Sequence, residues 1–148
     1  MPLPVASRSR AWWTTAFVVW AAVIARMTLW PTLGDEKPFA LLDRVLDWAD
    51  RHGVPLTFGF VEALGNVLMF IPFGALLVMV WRPRRWWWAV GVGCATSCAI
   101  ELTQLVLLPH RVADLRDVVT NTTGTAVGVG MALLVVVGRR SRRSGRSE

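Results

Sequence analysis

Read only for hydrophobic and polar positions, the 148-residue chain divides into four apolar stretches parted by polar segments. They run from about Ala11 to Trp30, Phe58 to Trp81, Trp86 to Leu108 and Val118 to Val137. Each is near the ~20 residues that cross ~30 Å of hydrocarbon at ~1.5 Å per residue. Lipid offers no partners to backbone N–H and C=O groups, so each stretch is predicted to be a helix. The pattern predicts an all-α polytopic membrane protein with four transmembrane helices. Residues 11–137 form one membrane domain, residues 1–10 a cytoplasmic N-terminus. Residues 138–148, made almost wholly of Arg, Ser and Gly, are expected to be a disordered basic cytoplasmic tail.

The first stretch is longer than the apolar core of a secretory signal, and Val23–Ala25 is a weak cleavage site, so it reads as a retained helix. Arg26 lies one turn from its outer end, where a long side chain can snorkel towards water. Residues 31–57 make the one sizeable outer loop. Within it, Ala40 to Arg51 places Leu41, Leu42, Val45, Leu46 and Trp48 or Ala49 along one helical face. Asp43, Arg44, Asp47, Asp50 and Arg51 occupy the other. This predicts a short amphipathic helix on the outer membrane surface, stopped by Gly53 and Pro55.

Composition strengthens this picture. The chain is 54% hydrophobic before its 12 glycines are counted, above the roughly 45–50% of soluble domains with glycine included. The formal net charge is +6, which alone would fit an anionic partner such as nucleic acid. The position of the charge excludes that reading. Three arginines fall between Arg82 and Arg85 and five between Arg139 and Arg146, both groups beside apolar runs. Such clusters mark cytoplasmic membrane flanks. With the N-terminus inside, ten of the 16 basic residues lie on the inner side and five on the outer. Both termini are therefore expected in the cytoplasm. Trp12, Trp13, Trp30, Trp81 and Trp86 to Trp88 fall at the expected interfaces. Cys94 and Cys98 show no CxxC or CxxxxH spacing and read as small packing residues, with no metal or cofactor implied.

Ionisable side chains inside a span are costly, by about 2.5–3.5 kcal/mol at its centre, and are candidates for function. The second stretch holds Glu62 and Asn66, the third Glu101 and Gln104, and the fourth Asn121. On the expected topology Glu62 and Asn66 lie about 6 and 12 Å below the outer surface, and Gln104 and Glu101 about 6 and 10 Å. Asn121 lies a turn below the start of its helix. All five share the outer half. Ser97, Glu101 and Gln104 form one stripe, Asn121, Thr125 and Gly128 another, and Glu62 and Asn66 a third. Each is expected to face the others. Gly124 and Gly128 make a GxxxG that lets a neighbouring helix come close, and Pro72 reads as a tolerated kink.

The short outer loop adds Arg111, Asp114 and Asp117 above these residues, with His110 beside them. A guanidinium there would neutralise a carboxylate or hold a polar head group. Asp114 and Asp117 also suit the start of the fourth helix as cap and dipole partner. Asn66, Gln104 and Asn121 serve equally as hydrogen bonds between helices. Glu101, placed deepest among the carboxylates, needs a partner or a proton.

Three stretches taken together resemble the VanZ-like family of bacterial membrane proteins. They are Asn66 to Gly74 (NVLMFIPFG), Ser97 to Gln104 (SCAIELTQ) and Arg111 to Gly128 (RVADLRDVVTNTTGTAVG). The resemblance covers residues 59 to 135, and implies a small helical membrane protein associated with resistance to teicoplanin-type glycopeptides. These drugs act on cell-wall precursors outside the membrane. Residues 31 to 57 carry no part of the resemblance.

Three functions remain open from the sequence. The first is a non-enzymatic protein of the plasma membrane that binds an amphipathic or lipid-linked molecule in the outer leaflet, such as a wall precursor or a lipoglycopeptide. The second is an intramembrane enzyme acting on a lipid head group or lipid-linked precursor, with Glu101 or Asp114 as base and Arg111 as anion clamp. No Ser/His/Asp or Cys/His set, HExxH or phosphate-cradling glycine loop accompanies it. The third is an accessory subunit of a larger membrane complex.

Overall fold

The computed structural model of the chain describes residues 5–29, 37–81, 85–107 and 114–144. All the regular structure described is helical: α1 (Val5–Leu29), α2 (Lys37–Arg51), α3 (Phe58–Trp81), α4 (Trp87–Leu107) and α5 (Leu115–Ser144). Among the described residues, three helices are long and apolar enough to cross a membrane: α3, α4 and the Leu115–Gly138 part of α5. This is fewer than the four expected. Helix α1 is long enough, but Trp12, Trp13, Thr14, Thr15, Trp20, Arg26 and Thr28 dilute its apolar run.

Local chemistry sets the helix ends. Thr57 Oγ1 accepts the Phe60 N–H at 3.2 Å and caps α3. Asp114 does the same for α5, taking the Arg116 N–H at 2.8 Å. Helix α2 stops at Gly53, whose φ of 69° is left-handed. There the Val54 N–H returns to Ala49 O at 2.9 Å and the Gly53 N–H to Asp50 O at 3.1 Å, closing a Schellman motif. The expected helix in residues 40–51 is thus present and begins three residues earlier. The side chains of Leu41 and Leu42 lie outside the described residues. Val45 and Trp48 are exposed while Ala49 is buried, and among the described residues α2 shares no wide interface with the other helices.

Helix α5 runs past the apolar stretch that ends near Val137 and continues to Ser144. The backbone bonds of α5 propagate past the apolar run because arginine is a good helix former.

Helices α1, α3, α4 and α5 pack together, with the widest interface between α3 and α5. These two run parallel, while α4 and α1 run opposite to them. Glycine explains how close α3 and α5 come. A Cβ on Gly124 would meet Val67 O, and one on Gly128 would meet Ile71 O. In the other direction, a Cβ on Gly74 would meet the Thr125 backbone. Gly93 of α4 packs on the Thr125 side chain in the same way. Thr125 therefore sits fully buried where three helices converge.

Below this point, where α3 and α5 end and α1 and α4 begin, the core is apolar. It includes Phe73, Leu77, Val78, Ala89, Val129 and Ala132, and Phe70, level with Gly124, continues it towards the other end. Phe17 of α1 packs on Phe73 and Trp81, with ring centres 5.4 and 5.3 Å apart. Pro72 lies inside α3 without ending it. Its missing N–H disturbs that turn, and there Trp20 Nε1 of α1 donates to Met69 O at 2.9 Å.

Candidate functional site

The opposite end of the bundle gathers the polar residues. The antiparallel run of α4 against α5 sets Ser97 level with Asn121, and the Asn121 Nδ2–H donates to Ser97 Oγ at 2.9 Å. Four residues further along α4, Glu101 Oε2 accepts the backbone N–H of Asp114 at 2.9 Å. Asp114 thereby caps α5 with its carboxylate while its own N–H rests on Glu101.

The remaining ties reach α3 and α1. Asn66 Nδ2–H donates to Asp117 Oδ1 at 2.8 Å, joining α3 to the first turn of α5. Gln104 Nε2–H donates to Thr28 O at 2.8 Å, joining α4 to the last turn of α1. Each amide is directed by its neighbour, so Asn66 and Gln104 hold helices in register while Asp117 and Glu101 present carboxylates. Thr125 Oγ1–H donates back to Asn121 O at 3.0 Å, closing the polar layer from below.

Burial separates the members. Ser97, Glu101, Gln104 and Asn121 are buried, with Glu101 6% exposed and Asn121 3%. Asn66 and Asp117 are half-buried, and Asp114 is exposed. A carboxylate taken this far from water is tolerated only with donors around it, and the Asp114 N–H is one of them. Asn121 Oδ1 and Thr122 Oγ1 are buried with no hydrogen-bond partner among the described residues. Buried polar atoms are paired as a rule, so these two mark unused hydrogen-bonding capacity on α5, that of Asn121 on the residue tied to Ser97.

Two expected stripes, Ser97–Glu101–Gln104 and Asn121–Thr125–Gly128, face the bundle interior. The third does not. Asn66 turns towards α5, while Glu62, one turn nearer the helix end where the bundle opens, is exposed. Gly124 and Gly128 pack on α3, as described above. Arg111 and His110 lie outside the described residues. No group of three or more His, Cys, Asp or Glu able to hold a metal occurs among the described residues.

Other contributors were not singled out from the sequence. The Thr28 carbonyl is invisible to side-chain pattern. Gly93 lies one turn before Ser97 on the same face of α4, and the threonine opposite reveals its role. Arg116 lies at the same end, its Nη1 2.6 Å from where a Gly59 Cβ would be, so Gly59 makes room for a guanidinium beside the start of α3. Its signal was present in the alternation Arg111, Asp114, Arg116, Asp117.

No curated protein and no solved structure matches the chain. A family model described as VanZ/LLP1 matches residues 13–136, taking in α3, α4, the apolar part of α5 and most of α1. With residues 13–136, most of its length, matched by that model, the chain belongs to the VanZ/LLP1 family.

Proposed function

We propose that this VanZ/LLP1 protein is a multi-pass protein of the plasma membrane that binds an amphipathic or lipid-linked molecule in the outer leaflet. The observation that carries the reading is the buried Glu101 carboxylate in one layer with Asn121, whose Oδ1 is buried without a partner. A ligand with hydroxyl, amide or ammonium donors fits such a layer of acceptors. Glu101, Asp114 and Asp117 accept from it, Arg111 supplies a bidentate donor, and Asn66, Gln104 and Asn121 position them. Glu62 and the exposed Arg116 form the rim.

Topology supports the same reading. Helix α1 is the fourth crossing, with Gln104 tied to its last turn. Both termini then lie in the cytoplasm, where the arginines concentrate. Helix α2 rests on the outer surface with Val45 and Trp48 towards lipid, which accounts for their exposure. A lipid-tailed glycopeptide anchors in that leaflet, so competition at the carboxylate end would lower its effect and contribute to teicoplanin-type resistance.

The test is expression in a susceptible bacterial host at matched membrane levels. The wild type raises the inhibitory concentration of teicoplanin and not of a glycopeptide without a lipid tail. Glu101→Gln, Arg111→Ala and Asp114→Asn each abolish that protection while the protein still accumulates. Equal protection by all three variants would remove the carboxylate end from the function.

A further inference from the structure

The other end of the bundle carries a second arrangement that the carboxylate layer does not use. A crevice of about 170 Å³ opens between the end of α3 and the start of α4, lined by Leu77, Trp81, Trp88, Ala89 and Val92. Its lining is wholly apolar. The two indoles are held in place from behind. Trp81 meets the Phe17 ring edge-on, and Trp88 stacks on Trp87 with centres 5.1 Å apart and planes at 19°. Trp87 in turn carries the Arg85 guanidinium, 5.8 Å from its ring centre. A cation, an indole stack and an apolar slot thus follow one another within four residues of chain.

Charge selects the occupant. No acidic residue falls between Glu62 and Glu101, and after Asp117 the only one is Glu148. Helix α5 carries Arg139, Arg140, Arg142 and Arg143 beyond its apolar part, at the same end as the start of α4. The α4 N-terminus adds its own partial positive charge. A neutral apolar ligand would make no use of this field, and a cationic one would be repelled.

We propose that this end binds an anionic glycerophospholipid, with an acyl chain in the Trp81–Trp88 crevice and its phosphate against Arg85. The site is separate from the carboxylate layer, and its fate does not depend on what that layer binds.

The experiment is native mass spectrometry of the full chain in a mild non-ionic detergent. Phosphatidylglycerol or phosphatidylcholine with the same acyl chains is titrated in. The wild type is expected to retain one phosphatidylglycerol at lower lipid concentration than phosphatidylcholine. Arg85→Gln should weaken retention of the anionic lipid about fivefold, the usual effect of one basic residue at a membrane surface, and weaken phosphatidylcholine, whose choline cation offsets its phosphate, by less. Trp88→Ala should weaken both alike. Arg10→Gln removes the same charge from an exposed position at the same end that does not line the crevice and should change neither. Both crevice substitutions fall on exposed side chains, so the fold is retained. Equal losses in Arg85→Gln and Arg10→Gln would overturn the proposal in favour of diffuse surface charge. Equal retention of the two lipids would overturn it too, as would displacement of the lipid by glycerol phosphate alone at comparable concentration.

Discussion

The two halves of the bundle are built from the same helices but are held by different forces. In one half, Phe73, Leu77, Val78 and Val129 belong to one buried apolar cluster. In the other, single hydrogen bonds tie the helices: Asn66 to Asp117, Asn121 to Ser97, Gln104 to Thr28. In water the apolar half would dominate through the hydrophobic effect. Lipid tails are as apolar as leucine, so that advantage vanishes and only close packing remains. The apolar half and its glycines therefore set distance and direction. The polar half sets register, because each bond has one correct partner.

The largest effect should follow from breaking the close approach that both halves share. Gly128→Ile puts a branched side chain into Ile71 O and should destabilise the bundle by about 3 kcal/mol or more. Thermal unfolding in detergent would show a collapse of the transition or no folded protein at all. Phe73→Ala leaves a cavity in the apolar half. With no transfer term in lipid, the cost should be about 2 kcal/mol, below that in a soluble core, and the same melting assay measures it.

Asn121→Leu removes one tie of the polar half. It should cost about 0.6–2 kcal/mol while abolishing any protection against teicoplanin. A variant that melts as the wild type and still protects would show that the polar half is packing only. The smallest effect is expected at Gly130, where an added Cβ meets nothing within 4 Å. Gly130→Ala should shift stability by less than about 1 kcal/mol in the favourable direction. A large loss there would mean that this face of α5 is covered by another molecule.

Much of this was legible in the sequence, for identifiable reasons. Phe58 to Trp81 reads as one helix because apolar residues dominate it despite Glu62, Asn66 and Pro72, and Thr57 stands at its start. The i, i+4, i+7 spacing of Ser97, Glu101 and Gln104 announces a buried stripe, since polar groups in lipid must face protein. Glu62 obeys the same spacing rule with Asn66, yet is exposed. Periodicity fixes a face, whereas burial depends on how far a neighbouring helix extends. The end of α5 is not legible for a related reason. Composition separates lipid-soluble from water-soluble residues, and arginine continues a helix in water as readily as it ends a span. Gly93 and the Thr28 carbonyl could not be read, because their roles exist only once Thr125 and Gln104 are opposite them.

The parallel pairing of α3 with α5 has a consequence for how the chain is made. The helices with the widest shared surface are separated in sequence by α4, with which α3 makes a much smaller contact. As synthesis proceeds, α3 and α4 are in place before Gly124 and Gly128 have left the ribosome. Until then Gly74 has no Thr125 to pack on, and Asn66 no Asp117. The bundle closes only when α5 joins it, and both the carboxylate layer and the glycine seam come into being in that one step. A chain interrupted in α5 would hold nearly every helix and neither of the features that unite them.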